Sequence, residues 1–97
     1  METNIQAIHF SVTEKLEQYI QKKLEKLEKK NENITRAAVT LKVVKPQTAM
    51  NKETAISVVI PGNEMRAMHV ADTFEEGIDQ CCDSLQKQLT KYKETHI

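Results

Sequence analysis

The sequence contains no tryptophan, only two glycines and two prolines, and aromatic residues make up 4% of its 97 positions. With so few aromatic rings, few side chains can line a cofactor pocket, and we therefore expect no cofactor. We expect a core of Leu, Ile, Val and Ala. The isolated Gly62 and Gly77 exclude a glycine-rich phosphate-binding loop. No basic N-terminal region precedes an apolar run, and no apolar run is long enough to span a membrane. We therefore expect neither a secretion signal nor membrane contact.

An excess of charge of one sign is also missing, because 14 basic residues balance 14 acidic ones. Any electrostatic function must therefore come from how the charges are distributed. The only cysteines, Cys81 and Cys82, are neighbours that diverge on a helix and do not bridge each other. We expect reduced thiols in a cytoplasmic protein. The length suits one domain, so we expect residues 1–97 to form a single unit.

Hydrophobic periodicity divides the chain into two helices and four strands. Ser11 and Glu14 form an S-x-x-E capping box before the first helix. Asp72 or Thr73 is expected to cap the second helix, and Pro46 to end the second strand. The predicted elements are a strand at 3–10, a helix at 12–30, strands at 34–45, 54–60 and 64–71, and a closing helix from 73 onward.

The order β-α-β-β-β-α predicts an α+β two-layer sandwich, with two parallel helices on one face of a four-stranded sheet. The first helix ends where the second strand begins, and three antiparallel strands then run up, down and up. Both helices should therefore point the same way, with their C-terminal ends at one edge of the domain. The first strand should lie parallel to the second.

Lysines collect on one side of the first helix and in the last turns of the second, whereas the acidic residues lie on other parts of both helices. On the first helix Lys15, Lys22, Lys26 and Lys29 share one side, and Lys23 and Lys30 lie nearer the apolar stripe; on the second helix the lysines are Lys87, Lys91 and Lys93. Lys42, Lys45 and Arg36, on the second strand, could extend this edge. A lysine-lined edge suits RNA phosphates, because each contact releases condensed counterions. The alternative is that these lysines only solvate helix surfaces, the usual role of charge runs.

The sequence gives little support for catalytic or metal-binding groups. His9, His69 and His96 are isolated, and none has metal-ligand spacing to a Cys or an acid. Cys81 and Cys82 fall on the apolar stripe of the second helix, so packed thiols are favoured over nucleophiles. Asp79 and Asp83 lie one turn apart on an exposed flank, where solvation is expected. We predict no catalytic residue, no metal site and no enzymatic activity.

Four stretches together resemble the ribosome hibernation-promoting factor family, whose members are also called ribosome-associated translation inhibitors or sigma-54 modulation proteins. The stretches are VTEKLEQYIQKKLEKLEK at 12–29, LKV at 41–43, FEEGID at 74–79 and DSLQKQLTKYK at 83–93. The resemblance covers essentially the whole chain. It implies a fold similar to a double-stranded-RNA-binding domain. It also implies binding to the small ribosomal subunit, in the channel used by mRNA and by the A- and P-site tRNAs.

The resemblance implies that helix lysines meet 16S rRNA phosphates and that binding inhibits translation in slow growth or stationary phase. The matching lysines are Lys23, Lys26, Lys29, Lys42, Lys87, Lys91 and Lys93. It further implies a monomer without the C-terminal dimerisation domain of longer members, and pairing of ribosomes together with a separate modulation factor. Glu17, Ser84 and Thr95 stand where relatives often have a basic residue, so this member is less basic.

Two other classes of function compete with RNA binding. A small protein-interaction module without an RNA role would need a mainly apolar outer sheet face. The expected outer residues Thr40, Lys42, Ser57 and Arg66 are instead mixed. A small enzyme would need a pocket with convergent polar groups, for which the sequence offers no candidate set.

Overall fold

The six predicted elements are all present in the computed structural model, which describes residues 1–44 and 49–95. Their bounds are β1 Glu2–Ile8, α1 Glu14–Lys30, β2 Arg36–Val43, β3 Lys52–Ile60, β4 Asn63–Ala71 and α2 Phe74–Thr95. The α+β class and the order β-α-β-β-β-α are thereby confirmed. The expectations for Lys45, Pro46 and His96 lie outside the described residues.

The four strands form one mixed sheet in the order β1-β2-β3-β4. β1 runs parallel to β2, as predicted, with Ile5 opposite Val39. β2, β3 and β4 are antiparallel to their neighbours. β3 and β4 are joined by the two residues Pro61 and Gly62, and Gly62 has a φ of +83°. A glycine reaches this left-handed conformation without the steric cost of a side chain, which explains the tight hairpin.

One face of the sheet is buried, because strand side chains alternate between the two faces. On β2, Ala37, Val39 and Leu41 are buried, while Arg36 before them and Lys42 after them are exposed. The buried residues of both helices belong to the same core cluster as these strand residues. They are Leu16, Ile20, Leu24 and Leu27 on α1, and Phe74, Ile78, Cys81, Leu85 and Leu89 on α2. Both helices therefore cover the same face of the sheet.

The helix caps differ in part from the prediction. Thr13, not Ser11, caps α1: its Oγ1 accepts a hydrogen bond from the Leu16 amide at 3.1 Å. α1 consequently begins at Glu14, and the Ser11 capping box was wrong. At α2 the Thr73 hydroxyl accepts from the Glu76 amide at 3.1 Å. Each cap satisfies one of the amide groups that a helix start leaves unpaired.

Contacts between the helices show that they run in the same direction. Near the start of α2, the Tyr19 hydroxyl of α1 donates to Asp79 Oδ1 at 2.8 Å. Further along, Asn31 Nδ2 donates to the Leu27 carbonyl and to Gln86 Oε1, both at 2.8 Å. The buried Asn31 thus joins the end of α1 to the middle of α2. The nine residues of α2 after Gln86 continue about 13 Å further at the helical rise.

Candidate nucleic-acid interface

A groove runs between the two helices on the side away from the sheet. It has a volume of about 190 Å³. The residues that line it are Lys23, Lys26, Leu27 and Lys30 from α1, and Cys82, Asp83 and Gln86 from α2. Three ammonium groups thus face one carboxylate. The lysines reach the groove because they follow the apolar stripe of α1, with their alkyl stems along its edge and their charges towards water.

A second depression lies where the helices end. It is lined by Lys29 and Lys30 of α1, Glu32 and Asn33 of the following loop, and Lys93 of α2. Lysines from both helix tails therefore border one depression, as the predicted topology required. Lys30 also lines the groove, so the groove and this depression are continuous.

The tail of α2 forms a third depression, lined by Gln86, Lys87, Thr90, Lys91 and Glu94. Lys87 and Lys91 are both exposed, and they lie one turn apart. Gln86 also lines the groove, so it joins this depression to the others. We call the continuous area the lysine surface; its lysines are Lys23, Lys26, Lys29, Lys30, Lys87, Lys91 and Lys93.

Carboxylates are interspersed in the lysine surface, which the sequence pattern did not predict. Asp83 lines the groove, Glu32 lies beside the helix ends and Glu94 lies beside Lys91. Asp83 was expected on an exposed flank of α2, and that flank borders the groove beside α1. Lysines still outnumber acids in each depression, so the surface carries a net positive charge. That charge is smaller than the number of lysines alone would indicate.

Lys23 is already paired within the protein. Its Nζ lies 3.1 Å from Asp79 Oδ1 and 5.6 Å from the centroid of the Tyr19 ring. The hydrogen bond to Asp79 raises the pKa of Lys23, and burial together with the same carboxylate raises the pKa of Tyr19. Asp79, which was expected to be solvated, has a side chain that is 45% exposed but also paired, because the register of the two helices brings it against α1.

Lys22 lies at the border of the lysine surface. It lines a shallow site with Tyr19, Lys23 and Lys26, and on its other side it meets the acidic flank of α1 at Glu17 and Glu25. A lysine between carboxylates contributes less to an anionic partner than one among lysines. Lys22 therefore stands between lysines on one side and carboxylates on the other.

Lys42 is not part of the lysine surface. It lies on the outer face of the sheet, opposite the face that the helices cover, and its cross-strand neighbour is Glu53. The alternation of buried Leu41 and exposed Lys42 places its side chain away from α1 and α2. Lys42 also lies near the end of β2, whereas the helix tails lie near its start. The prediction that Lys42 extends the lysine-lined edge was wrong, because its side chain lies on the other face of the sheet.

If the lysine surface binds the RNA of the small ribosomal subunit, as the resemblance implies, Lys42→Glu should change the affinity by less than about twofold, because an exposed charge beyond a Debye length is screened. Lys91→Glu changes the net charge by the same amount and should lower the affinity about tenfold, since it lies within the lysine surface. Binding curves at one salt concentration, measured side by side, check this. Equal losses for the two variants would show that total charge, not position, decides binding.

Residues outside the predicted site join its parts. Asn31 and Gln86 join the end of α1 to the middle of α2, and Gln86 lines two depressions. An asparagine directly after a helix is a recognisable C-terminal signal and could have pointed to Asn31. Nothing local in the sequence marks Gln86, because its role depends on which residue of α1 it faces.

The two cysteines differ in position. Cys81 is fully buried, and its Sγ donates to the Thr54 carbonyl at 3.3 Å. Cys82 is half-buried and lines the groove, so only Cys81 is a core thiol of the predicted kind. Burial raises the pKa of Cys81 to about 12 and that of Cys82 to about 11. Both thiols are therefore protonated at neutral pH, the form that is a poor nucleophile.

Two other kinds of site are absent from the described part of the chain, residues 1–44 and 49–95. No group of three or more His, Cys, Asp or Glu side chains there could hold a metal ion. Within the same residues, neither helix is long and apolar enough to cross a membrane.

Curated relatives match most of the chain. A ribosome hibernation promoting factor from Pseudomonas putida is 34% identical over 94 residues, which cover 97% of this chain and 88% of that protein. A ribosome hibernation promotion factor from Deinococcus radiodurans is 35% identical over 89 residues, covering 89% of this chain but 46% of the longer relative.

Solved structures share the fold at lower identity. A ribosomal subunit interface protein from Coxiella burnetii superimposes with a TM-score of 0.86 at 20% identity, covering 97% of this chain and 99% of that one. The N-terminal domain of protein Y from Thermus thermophilus gives 0.79 at 22% identity, over 95% and 99% of the two chains. Residues 3–96 also match the sequence profile of the family described as sigma 54 modulation protein / S30EA ribosomal protein. The chain therefore belongs to that family, which confirms the resemblance to the hibernation-promoting factors.

Proposed function

We propose that this protein is a ribosome hibernation factor that binds the small ribosomal subunit and inhibits translation when growth slows. Its helices enter the channel used by mRNA and tRNA, and the lysine surface contacts phosphates of 16S rRNA. Because the domain and the tRNAs would occupy the same space, the block is steric and no chemical step is needed.

The observation that supports this proposal most is the continuity of the lysine surface. Lys30 and Gln86 each line two depressions, so lysines from both helices form one area rather than separate points. These lysines stand on helices that are packed on a sheet, so little backbone order must be gained on binding. An array of ammonium groups on an ordered backbone suits the fixed phosphates of folded RNA.

The aromatic side chains favour recognition of the RNA backbone over stacking on unpaired bases. Phe10 and Phe74 stack on each other, with ring centroids 5.2 Å apart. Tyr19 is bound to Asp79, and Tyr92 is half-buried against the core. Single-strand binding by stacking needs exposed rings, and all four rings of this chain are wholly or partly buried.

The remaining parts of the proposal come from the sequence and the family resemblance. We propose that the protein acts in the cytoplasm as a single domain and a monomer, without catalytic residues or cofactors. By occupying idle small subunits it would also favour pairing of ribosomes together with a separate modulation factor.

The outer face of the sheet gives little support to a protein-interaction module. Its central rows hold Ala38, Ser57 and Arg66, followed by Thr40, Ala55 and Met68. The described part of the chain exposes three large hydrophobic residues, Met1, Met50 and Met68. A face that alternates small, polar and charged groups lacks the contiguous apolar patch of a protein docking site.

Co-sedimentation with purified small subunits tests the proposal, followed by competition with mRNA and tRNA. We expect the protein in the ribosomal fraction at low salt, with release as salt rises or as the A and P sites fill. Recovery only in the free-protein fraction at low salt would contradict ribosome binding. Binding that tRNA and mRNA do not reduce would contradict the channel.

A further inference from the structure

A cluster of three side chains crosses the interface between the helices at one end of the lysine surface. Tyr19 and Lys23 belong to α1 and Asp79 to α2. Asp79 Oδ1 accepts a hydrogen bond from the Tyr19 hydroxyl at 2.8 Å and pairs with Lys23 Nζ at 3.1 Å. One carboxylate oxygen thus has two partners on the opposite helix.

We propose that Asp79 sets the affinity and the salt tolerance of ribosomal RNA binding, because its pairing with Lys23 keeps that lysine from acting as a phosphate contact. The inference rests on the proposed function, since it concerns the same surface. It assigns to Asp79 the role of an internal competitor for phosphate, and to Tyr19 the role of holding the carboxylate in place.

The positions of these side chains allow an RNA phosphate to compete with Asp79 for Lys23. Lys23 lines the groove together with Lys26 and Lys30, so its ammonium lies where a phosphate would bind. The side chains of Lys23 and Asp79 are 32% and 45% exposed, so RNA can reach the pair. A phosphate approaching Lys23 must displace a carboxylate that the Tyr19 hydroxyl keeps oriented towards the lysine.

Counterion release explains why this pairing affects salt dependence. Lysines that bind phosphates release the cations condensed on the RNA, so each contact steepens the fall of affinity with salt. A lysine that remains paired with a carboxylate adds no such contact, and the carboxylate repels the phosphate as well. The free protein therefore has one lysine on this surface that does not count towards binding.

Asp79→Asn tests the proposal, because the amide keeps the shape of the side chain and can still accept from Tyr19. We expect the affinity for small subunits to rise roughly threefold to fivefold, the range of an exposed ion pair. The slope of log affinity against log salt should steepen by about one, as for one added phosphate contact. Thermal unfolding of the variant checks that the fold is kept.

Two controls separate this effect from total charge. Glu64→Gln changes the net charge equally but lies on the outer face of the sheet, so it should leave the slope unchanged. Lys23→Gln should weaken binding more in the Asp79→Asn background than in the wild type, and should return the Asp79→Asn variant to wild-type binding.

Either of two results would overturn the proposal while the wild type still binds: Asp79→Asn behaving like Glu64→Gln, or Lys23→Gln weakening both backgrounds equally. A wild type that does not co-sediment at low salt is a different failure, because it removes the proposed function itself.

Discussion

Replacing Lys87 and Lys91 together with glutamate should abolish association with the small ribosomal subunit and leave the fold intact. Both side chains are exposed on the tail of α2, within the lysine surface. Two charge reversals remove two phosphate contacts and add two repulsions, so we expect affinity at least about 100-fold lower at physiological salt. Co-sedimentation over a range of protein concentrations measures the loss.

The matched control reverses Lys42 and Arg66, which are exposed on the outer face of the sheet. It changes the net charge by the same amount, so it should keep most of the affinity if position decides binding. Both double variants should unfold within a few degrees of the wild type, because exposed substitutions rarely change stability by more than about 0.5 kcal/mol. Binding by the Lys87 and Lys91 variant at physiological salt would show that α2 does not contact the RNA.

Gly77→Ala should destabilise the protein strongly, although alanine is the better helix former. A Cβ at position 77 would lie 2.6 Å from Thr54 Oγ1 and 3.2 Å from Thr54 Cβ. Thr54 is fully buried on β3, so neither group has room to move aside. We expect the free energy of unfolding to fall by about 2 kcal/mol, the usual cost of overpacking, and the melting temperature by about 10 °C.

The same substitution in a Thr54→Ala background shows whether this contact is the cause. Thr54 Oγ1 is buried without a hydrogen-bond partner among the described residues, so its removal costs little beyond a small cavity. In that background Gly77→Ala should change the free energy of unfolding very little. If Gly77→Ala is equally harmful in both backgrounds, or harmless in the wild type, close packing of α2 on β3 is not what requires the glycine.

The order of elements and the lysine positions could be predicted because they depend on local patterns. Helical spacing identified the buried stripe of α1, and alternation identified the strands. The parallel direction of the helices followed from counting strands, and Lys29, Lys30 and Lys93 do border one depression. The alternation of side chains along β2 could also have placed Lys42 on the face away from the helices, since its neighbour Leu41 is plainly a core residue.

The remaining features depend on the register between elements that are distant in sequence. Sixty positions separate Tyr19 from Asp79, and fifty-five separate Asn31 from Gln86. No periodicity indicates which turn of one helix faces which turn of the other. The choice of Thr13 over Ser11 as the cap of α1 is a similar case, because both residue types are good caps and only the path of the chain decides.

The reactivity of individual lysines towards an amine-reactive reagent, with and without small ribosomal subunits, tests the central claim most directly. If the lysine surface binds RNA, then Lys26, Lys29, Lys30, Lys87, Lys91 and Lys93 should be protected on binding, while Lys42 should react as in the free protein. Protection of Lys42 with continued reactivity of the helix lysines would contradict the account, because the sheet rather than the helices would then face the ribosome.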